Sequence, residues 1–115
     1  SAHYAGVHGD AEGNIRKVLA EMIDVPRAER TARFYSLIVM LKHAEDPQPL
    51  IAEGIWEGEI LELPRGSNGF GYDPIFFVPD QQCSAAELPA EIKNHISHRG
   101  RALLKLRELL NVGYK

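Results

Sequence analysis

The feature that most constrains the fold is the run Phe34-Tyr35-Ser36-Leu37-Ile38-Val39-Met40-Leu41, which is apolar almost throughout and shows no polar alternation. A run of this kind is typical of a strand that is covered on both faces. It predicts a central strand from about Ala32 to His43. Since helices must supply the covering layers, the predicted fold class is α/β, with a mixed β-sheet flanked by helices.

Two helices with apolar stripes are predicted to supply those layers. Asp10 caps the first, over about Ala11 to Asp24, and Pro26 ends it. Its core face comprises Ile15, Val18, Leu19, Met22 and Ile23. Ser97 caps the last helix, from His98 to about Leu110, whose stripe comprises Ala102, Leu103, Leu106, Leu109 and Leu110. Asp10 and Glu12 suit the positive end of the helix dipole, and metal ligation is the alternative.

A second strand, from Leu50 to Leu61, alternates and predicts an antiparallel hairpin with one wet face. Its acidic side carries Glu53, Glu57 and Glu59, and its apolar side carries Leu50, Ala52, Trp56 and Ile60. The glutamates fit a solvated face, with a cation site as the alternative. Trp56 fits the core, with a base-stacking platform as the alternative. The charged connection from Arg27 to Arg33 is expected to be exposed.

Composition narrows the class of protein. The 115 residues predict a single domain (1–115), and a net charge of −3 with a pI near 5.9 argues against a surface that coats nucleic acid or an anionic membrane. The single cysteine, Cys83, cannot form an internal disulfide, and it is interpreted as a free thiol without function because no histidine or cysteine neighbour suggests a metal site or a nucleophile dyad. No apolar run approaches the roughly 18 residues of a membrane span, so a reducing cytoplasm is the expected location.

The stretch from Arg65 to Phe77 is rich in glycine and aromatic residues. Gly66, Gly69 and Gly71 allow positive φ and a close approach of the backbone to a ligand. Phe70 and Tyr72 offer flat faces, and Asp73 offers an acceptor. The stretch is therefore either a pocket wall or a hairpin turn that enters a buried strand, Ile75 to Val78.

A basic segment from Lys93 to Arg107 holds Lys93, Arg99, Arg101, Lys105 and Arg107. His98 and Arg99 would stand at a helix N-terminus, where unpaired N–H groups and partial positive charge favour an anion or another acceptor. A nucleotide site is one interpretation and a solvated basic face is the other; for Arg101, Lys105 and Arg107 the solvated face is favoured.

The stretch Gly66-Ser67-Asn68-Gly69-Phe70-Gly71-Tyr72-Asp73-Pro74-Ile75-Phe76, followed by Lys93 and Ser97-His98-Arg99-Gly100, resembles the signature of the inosine triphosphate pyrophosphatase family. The resemblance runs from Ser1 to about Leu110 and implies the C-terminal part of a two-lobed nucleotide pyrophosphatase fold. It implies a substrate-binding set of Phe70, Gly71, Tyr72, Asp73, Lys93, His98 and Arg99. It also implies a homodimer in which the preceding half binds magnesium and activates water. This chain would then encode neither the metal ligands nor the catalytic base, and it has His3 where the family usually has arginine.

That resemblance implies hydrolysis of inosine, deoxyinosine and xanthosine triphosphates to the monophosphate and pyrophosphate. Lys93 and Arg99 can only donate hydrogen bonds, so they match the keto oxygen at purine position 6 and oppose the amino group of adenine. Such a mismatch supports discrimination of about 10⁴-fold. A non-catalytic purine nucleotide-binding module and a folded fragment without activity are the alternative functions.

Overall fold

The computed structural model describes residues 11–67, 69 and 71–113, without the side chains of 112 and 113. The described chain forms two compact units. The first combines residues up to Ala32 with Glu57–Pro89, and the second combines Arg33–Trp56 with the residues from Ala90 onward. The predicted cap at Asp10 lies outside the described residues.

The described strands form one four-stranded sheet in the order β1 (Thr31–Met40), β2 (Leu50–Ile60), β3 (Phe76–Val78) and β4 (Cys83–Ser84). In the first unit β3 runs antiparallel to β2, with Glu59 opposite Phe77, and antiparallel to β4, with Phe77 opposite Ser84. The predicted α/β class is confirmed. The sheet of the described residues is antiparallel rather than mixed.

The prediction that β1 is a central strand is wrong for this sheet, because β1 lies at its edge. Burial alternates along most of the strand, and Tyr35, Leu37 and Val39 are about half exposed. The sequence did not show this alternation because both faces of the strand carry apolar side chains, and apolar residues also occur on exposed surfaces.

The prediction for β2 is confirmed. Ala52 and Trp56 are buried, whereas Glu53 and Glu57 are exposed on the other face. The exposed face is not purely acidic, because Ile51 and Ile55 also lie on it. In the second unit the Tyr35 hydroxyl donates to the Glu53 carboxylate at 2.9 Å.

Three α-helices are described: α1 (Ala11–Glu21), α2 (Ala90–Ile96) and α3 (His98–Gly113). α1 ends before the predicted Asp24, so Ile23 falls outside the helix and is 80% exposed instead of buried. The cap on α3 is confirmed, since the Gly100 N–H donates to Ser97 Oγ at 3.1 Å. Leu103 departs from the predicted stripe and is exposed. No described helix is long and apolar enough to cross a membrane.

Helix α3 packs against β2 at Gly54, where the two backbones come so close that an added Cβ would overlap the carbonyl oxygen of His98 and the amide nitrogen of Ala102. Glycine allows this approach because it has no side chain. The core of the second unit lies here and includes Ala52, Trp56 and Ala102. The core of the first unit is built from β3 and the segment after β4: Ile75, Phe76, Phe77, Val78, Ala85, Ala86 and Leu88.

The connection between Arg27 and Arg33 was expected to be exposed, and for Arg30 this prediction is wrong. Arg30 is 3% exposed. Its guanidinium donates to four backbone carbonyls, those of Met22, Val25, Ile60 and Leu61, at 2.7–3.4 Å. A buried charge is tolerated where its donors are satisfied, and here carbonyl dipoles satisfy them.

Candidate functional site

The glycine loop (residues 66–73) connects β2 with β3 in the first unit. Its ends meet where the Arg65 N–H donates to the Pro74 carbonyl at 2.8 Å. Gly66, Gly69 and Gly71 have φ values of 84°, 93° and 52°, in the left-handed region that other residues seldom enter. The glycines are therefore required by the path of the chain.

A cavity of about 490 Å³ lies between this loop and the first turns of α1. The loop lines it with Gly66, Ser67, Gly69 and Gly71, and the helix lines it with Ala11, Glu12, Ile15 and Arg16. The volume is in the range of small-molecule sites. The loop therefore forms a cavity wall as well as a connection between paired strands, so both interpretations of the sequence describe part of it.

The last residues of the loop enter a short 3-10 helix, Asp73–Ile75, which leads into β3. Asp73 is buried and Tyr72 is half-buried. Burial raises the pKa of the Tyr72 hydroxyl above its ordinary value of 10.0, because the phenolate would lose hydration. Tyr72 therefore stays neutral at physiological pH and can act as a donor or an acceptor.

The stem of the loop is held by three side chains, Arg65, Ser84 and Glu87, which we call the stem cluster. Ser84 is fully buried, and its hydroxyl donates to the Arg65 carbonyl at 2.6 Å. Ser84 and Glu87 also form the reciprocal hydrogen bonds of a capping box around the 3-10 helix Ala85–Glu87. Arg65 Nε lies 3.2 Å from Glu87 Oε1, and its guanidinium lies 5.8 Å from the centre of the Phe77 ring.

In the second unit, His98 is the first residue of α3 and belongs to an aromatic cluster. Its ring stacks on Phe34 at 4.9 Å between centroids and lies 6.3 Å from Trp56, nearly parallel to it. The cluster orients the imidazole at the start of the helix. Lys93, on α2, is half-buried, and Arg99 is exposed.

Arg101 has a structural role. It is exposed, but its guanidinium donates to the carbonyls of Ile96 at 2.7 Å and Ile55 at 3.2 Å. These bonds tie the end of α2 and the start of α3 to β2. Lys105 and Arg107 are exposed, as the prediction of a solvated basic face requires.

The predicted substrate-binding residues thus fall into two groups. Gly71, Tyr72 and Asp73 belong to the first unit, and Lys93, His98 and Arg99 belong to the second. Phe70 lies outside the described residues. That the two groups meet around one purine base stays a prediction.

Sequence reasoning missed the stem cluster, although one signal for it was readable. Ser84 and Glu87 have the S-x-x-E spacing of a capping box, which marks the start of a helical turn. The turn that this spacing marks is the 3-10 helix Ala85–Glu87. Nothing in the sequence indicated that Ser84 would also bond the carbonyl of Arg65, since these residues come together only through the pairing of β3 with β4.

Two further observations concern chemistry at the site. Among the described residues no group of three or more His, Cys, Asp or Glu side chains is placed to hold a metal ion. The pKa of the Cys83 thiol is raised by burial and by the nearby Glu87 carboxylate, with Arg65 acting in the opposite direction. A raised pKa disfavours the reactive thiolate.

Comparison with known proteins assigns the chain to a family. The Ham1 family model matches residues 1–109. A dITP/XTP pyrophosphatase of Xylella fastidiosa (strain 9a5c) is 59% identical over 111 residues, which cover 96% of this chain and 56% of the relative. A dITP/XTP pyrophosphatase of Vibrio cholerae is 53% identical over 106 residues, covering 92% of this chain and 53% of the relative.

Solved structures agree. A HAM1 protein from Coxiella burnetii matches with a TM-score of 0.87 at 47% identity, covering 96% of this chain and 56% of that one. The Staphylococcus aureus Ham1 protein matches with a TM-score of 0.87 at 39% identity and the same coverage. The chain spans about half the length of the curated relatives it matches. It belongs to the Ham1 family.

Proposed function

We propose that this chain supplies the purine-base pocket of a pyrophosphatase that hydrolyses inosine, deoxyinosine and xanthosine triphosphates to the monophosphate and pyrophosphate. The observation that carries the proposal is the 59% identity, over nearly the whole chain, to a relative named dITP/XTP pyrophosphatase. The chain would correspond to the C-terminal part of that enzyme, and its working form would be a cytoplasmic homodimer.

In this proposal the glycine loop holds the base, and Lys93, His98 and Arg99 read its edge. The cavity beside the loop supports the first part, because it gives a ligand room against a backbone that lacks side chains at Gly66, Gly69 and Gly71. The stacked ring of His98 supports the second, because an oriented imidazole presents its polar atoms in a fixed direction. Phe70 would stack on the base and add about 1–3 kcal/mol with little choice among bases.

Selection among purine bases would depend on the hydrogen-bond donors of the protein. Lys93 and Arg99 satisfy a 6-keto oxygen, whereas a 6-amino group would leave donors facing donors. A site that hydrogen-bonds one base rejects a base with the opposite pattern of donors and acceptors, because buried polar groups of the site would then stay unpaired.

The magnesium ligands and the water-activating aspartate are proposed to lie in the other half of the enzyme. The described residues do not fit a resident magnesium site, since they offer no cluster of three carboxylate or imidazole groups. This chain by itself is therefore expected to bind a purine nucleotide without releasing pyrophosphate.

Isothermal titration calorimetry of the chain tests the pocket. Inosine triphosphate should bind more tightly than adenosine triphosphate. Arg99→Ala should weaken inosine triphosphate binding by about 10-fold or more, the usual value of a hydrogen bond to a charged group, and narrow the gap to adenosine triphosphate. Lys105→Ala, which removes another exposed cation of α3, is the matched control and should change neither affinity.

A pyrophosphate-release assay with magnesium separates the candidate functions. Binding without release supports the proposed pocket in an incomplete enzyme. Equal losses for both nucleotides in Arg99→Ala would mean that Arg99 serves the phosphates or the fold. Turnover by the chain alone would show that its own residues supply the catalytic groups. Absence of nucleotide binding would favour the remaining alternative, a folded fragment without activity.

A further inference from the structure

We propose that the stem cluster of Arg65, Ser84 and Glu87 positions the glycine loop for the purine base, with Glu87 as the residue that couples the other two. The inference deepens the proposed function and rests on it, because it assigns residues that set the shape of a loop proposed to hold the base. None of the three is proposed to touch the nucleotide.

The backbone of Arg65 is held at both its N–H and its carbonyl. Its N–H donates to the Pro74 carbonyl, and its own carbonyl accepts the Ser84 hydroxyl at 2.6 Å. Both backbone polar groups of Arg65 are therefore hydrogen-bonded at the point where the loop begins. The Arg65 N–H also closes the loop, since Pro74 stands at the other end.

The Oε1 atom of Glu87 contacts both Ser84 and Arg65. It accepts the Ser84 N–H at 2.9 Å and lies 3.2 Å from Arg65 Nε. The side chains of Arg65 and Glu87 are 45% and 33% exposed, so solvent screens their attraction and the ion pair alone contributes little stability. The contact matters for geometry, because Glu87 Oε1 holds the guanidinium of Arg65 and also holds Ser84, whose hydroxyl bonds the Arg65 carbonyl.

Gly66, the first residue of the loop, lies close to Ala86 and Glu87. A Cβ on Gly66 would lie 2.8 Å from Glu87 Cγ and 3.0 Å from the Ala86 carbonyl oxygen. The loop therefore leaves its stem directly against the Ala86–Glu87 segment, in a conformation with φ of 84°. Glu87 therefore both limits the space beside Gly66 and holds the stem cluster together.

These contacts have a consequence for binding. A loop of several glycines loses much conformational entropy when a ligand orders it, and a stem that is already fixed lowers that cost. Removal of the Glu87 carboxylate should then loosen the loop and weaken nucleotide binding together, without unfolding the unit.

Hydrogen exchange and calorimetry on the whole chain test this. In Glu87→Ala the amides of Gly71 and Tyr72 should exchange about tenfold faster, while that of Phe77 in β3 keeps its protection. Inosine triphosphate should bind about 3–10-fold more weakly. Glu87→Gln keeps an acceptor oxygen at the same place and should restore most of both properties. Glu29→Ala, which removes an exposed glutamate of the same unit, is the matched control and should change neither.

Three outcomes would overturn the proposal: unchanged loop exchange in Glu87→Ala, equally faster exchange at Phe77, or a looser loop with unaltered affinity. If the unsubstituted chain binds no inosine triphosphate, the proposed function fails. The exchange rates of Glu87→Ala and Glu87→Gln still decide whether the cluster holds the loop.

Discussion

At the scale of single residues, Arg30 joins two elements that are far apart in sequence. Its guanidinium bonds the carbonyls that follow α1 and those at the end of β2, and its own carbonyl accepts the Ile60 N–H at 2.8 Å. Lysine could not replace it, because an ammonium lacks the planar fork that reaches several acceptors at once. Arg30 fixes the end of β2 just before the chain enters the glycine loop.

Gly54 is a residue at which substitution should be costly. In Gly54→Ala the new methyl group meets backbone atoms of α3, which cannot rotate away, so the helix must move off β2. We expect a loss of about 3 kcal/mol or more in the free energy of unfolding, at or above the upper end for overpacked cores. Urea denaturation measures this loss.

Gly71→Ala is the matched control, since an added Cβ there meets nothing within 4 Å although φ is 52°. It carries only the strain of a left-handed alanine, about 1–2 kcal/mol. A Gly54→Ala variant no less stable than Gly71→Ala would show that α3 can shift away from β2 at little cost.

At the scale of elements, the β1–β2 hairpin is organised by its turn. Asp46 accepts the Lys42 N–H at 3.0 Å and the Gln48 N–H at 2.9 Å, one on each carboxylate oxygen. These two hydrogen bonds lower the pKa of Asp46 below its ordinary value of 3.8, because they favour the charged form. The turn is therefore tighter when Asp46 is ionised.

The sign of the pH dependence follows. A carboxylate whose folded pKa is lowered adds stability that is fully present above its unfolded pKa, about 3.9, and is lost as pH falls through the folded value. The Asp46 carboxyl should titrate below 3.8 by NMR. In Asp46→Asn the acid-induced loss of stability should be smaller than in the unsubstituted chain.

Asp24→Asn, at an exposed position away from the turn, is the control for a general change in charge. An Asp46 pKa at or above 3.8 would mean that the two backbone hydrogen bonds do not persist in solution.

The elements also show what the sequence could and could not predict. Capping and periodicity located α3 through Ser97 and β2 through its alternating glutamates, because those signals are local. The edge position of β1 depends on which strands pair, and an apolar run does not specify its pairing partners. The burial of Arg30 depends on its contact with the end of β2, which a charged connection does not indicate. For the site, the glycine loop and the residues around the start of α3 were readable as motifs, whereas the bond from Ser84 to Arg65 requires the tertiary fold.

At the scale of the whole molecule, the exposed face of β1 and β2 is notable for its apolar content. Tyr35, Leu37, Val39, Ile51 and Ile55 are each more than one-third exposed on this face of the second unit. Several large apolar side chains exposed on one face are a common mark of an interaction site. If the proposed homodimer forms, we expect a second copy of the chain to cover this face.

Sedimentation equilibrium tests that proposal. The unsubstituted chain should sediment as a dimer, and Leu37→Lys with Val39→Lys should shift it to the monomer, because paired copies would bring four like charges together. Leu104→Lys, at another exposed leucine of the second unit, is the control and should leave the mass unchanged. A chain that is monomeric before substitution would contradict this assignment of the face.

The aromatic cluster around His98 has an optical consequence. Trp56 is the single tryptophan of the sequence and is 1% exposed, against the rings of Phe34 and His98. Tryptophan fluorescence therefore originates from one place, beside the residue proposed to read the base edge, and we expect emission at short wavelength because the ring is shielded from water. A change in that spectrum reports directly on the second unit, so one intrinsic fluorophore can follow events at the start of α3 without any label.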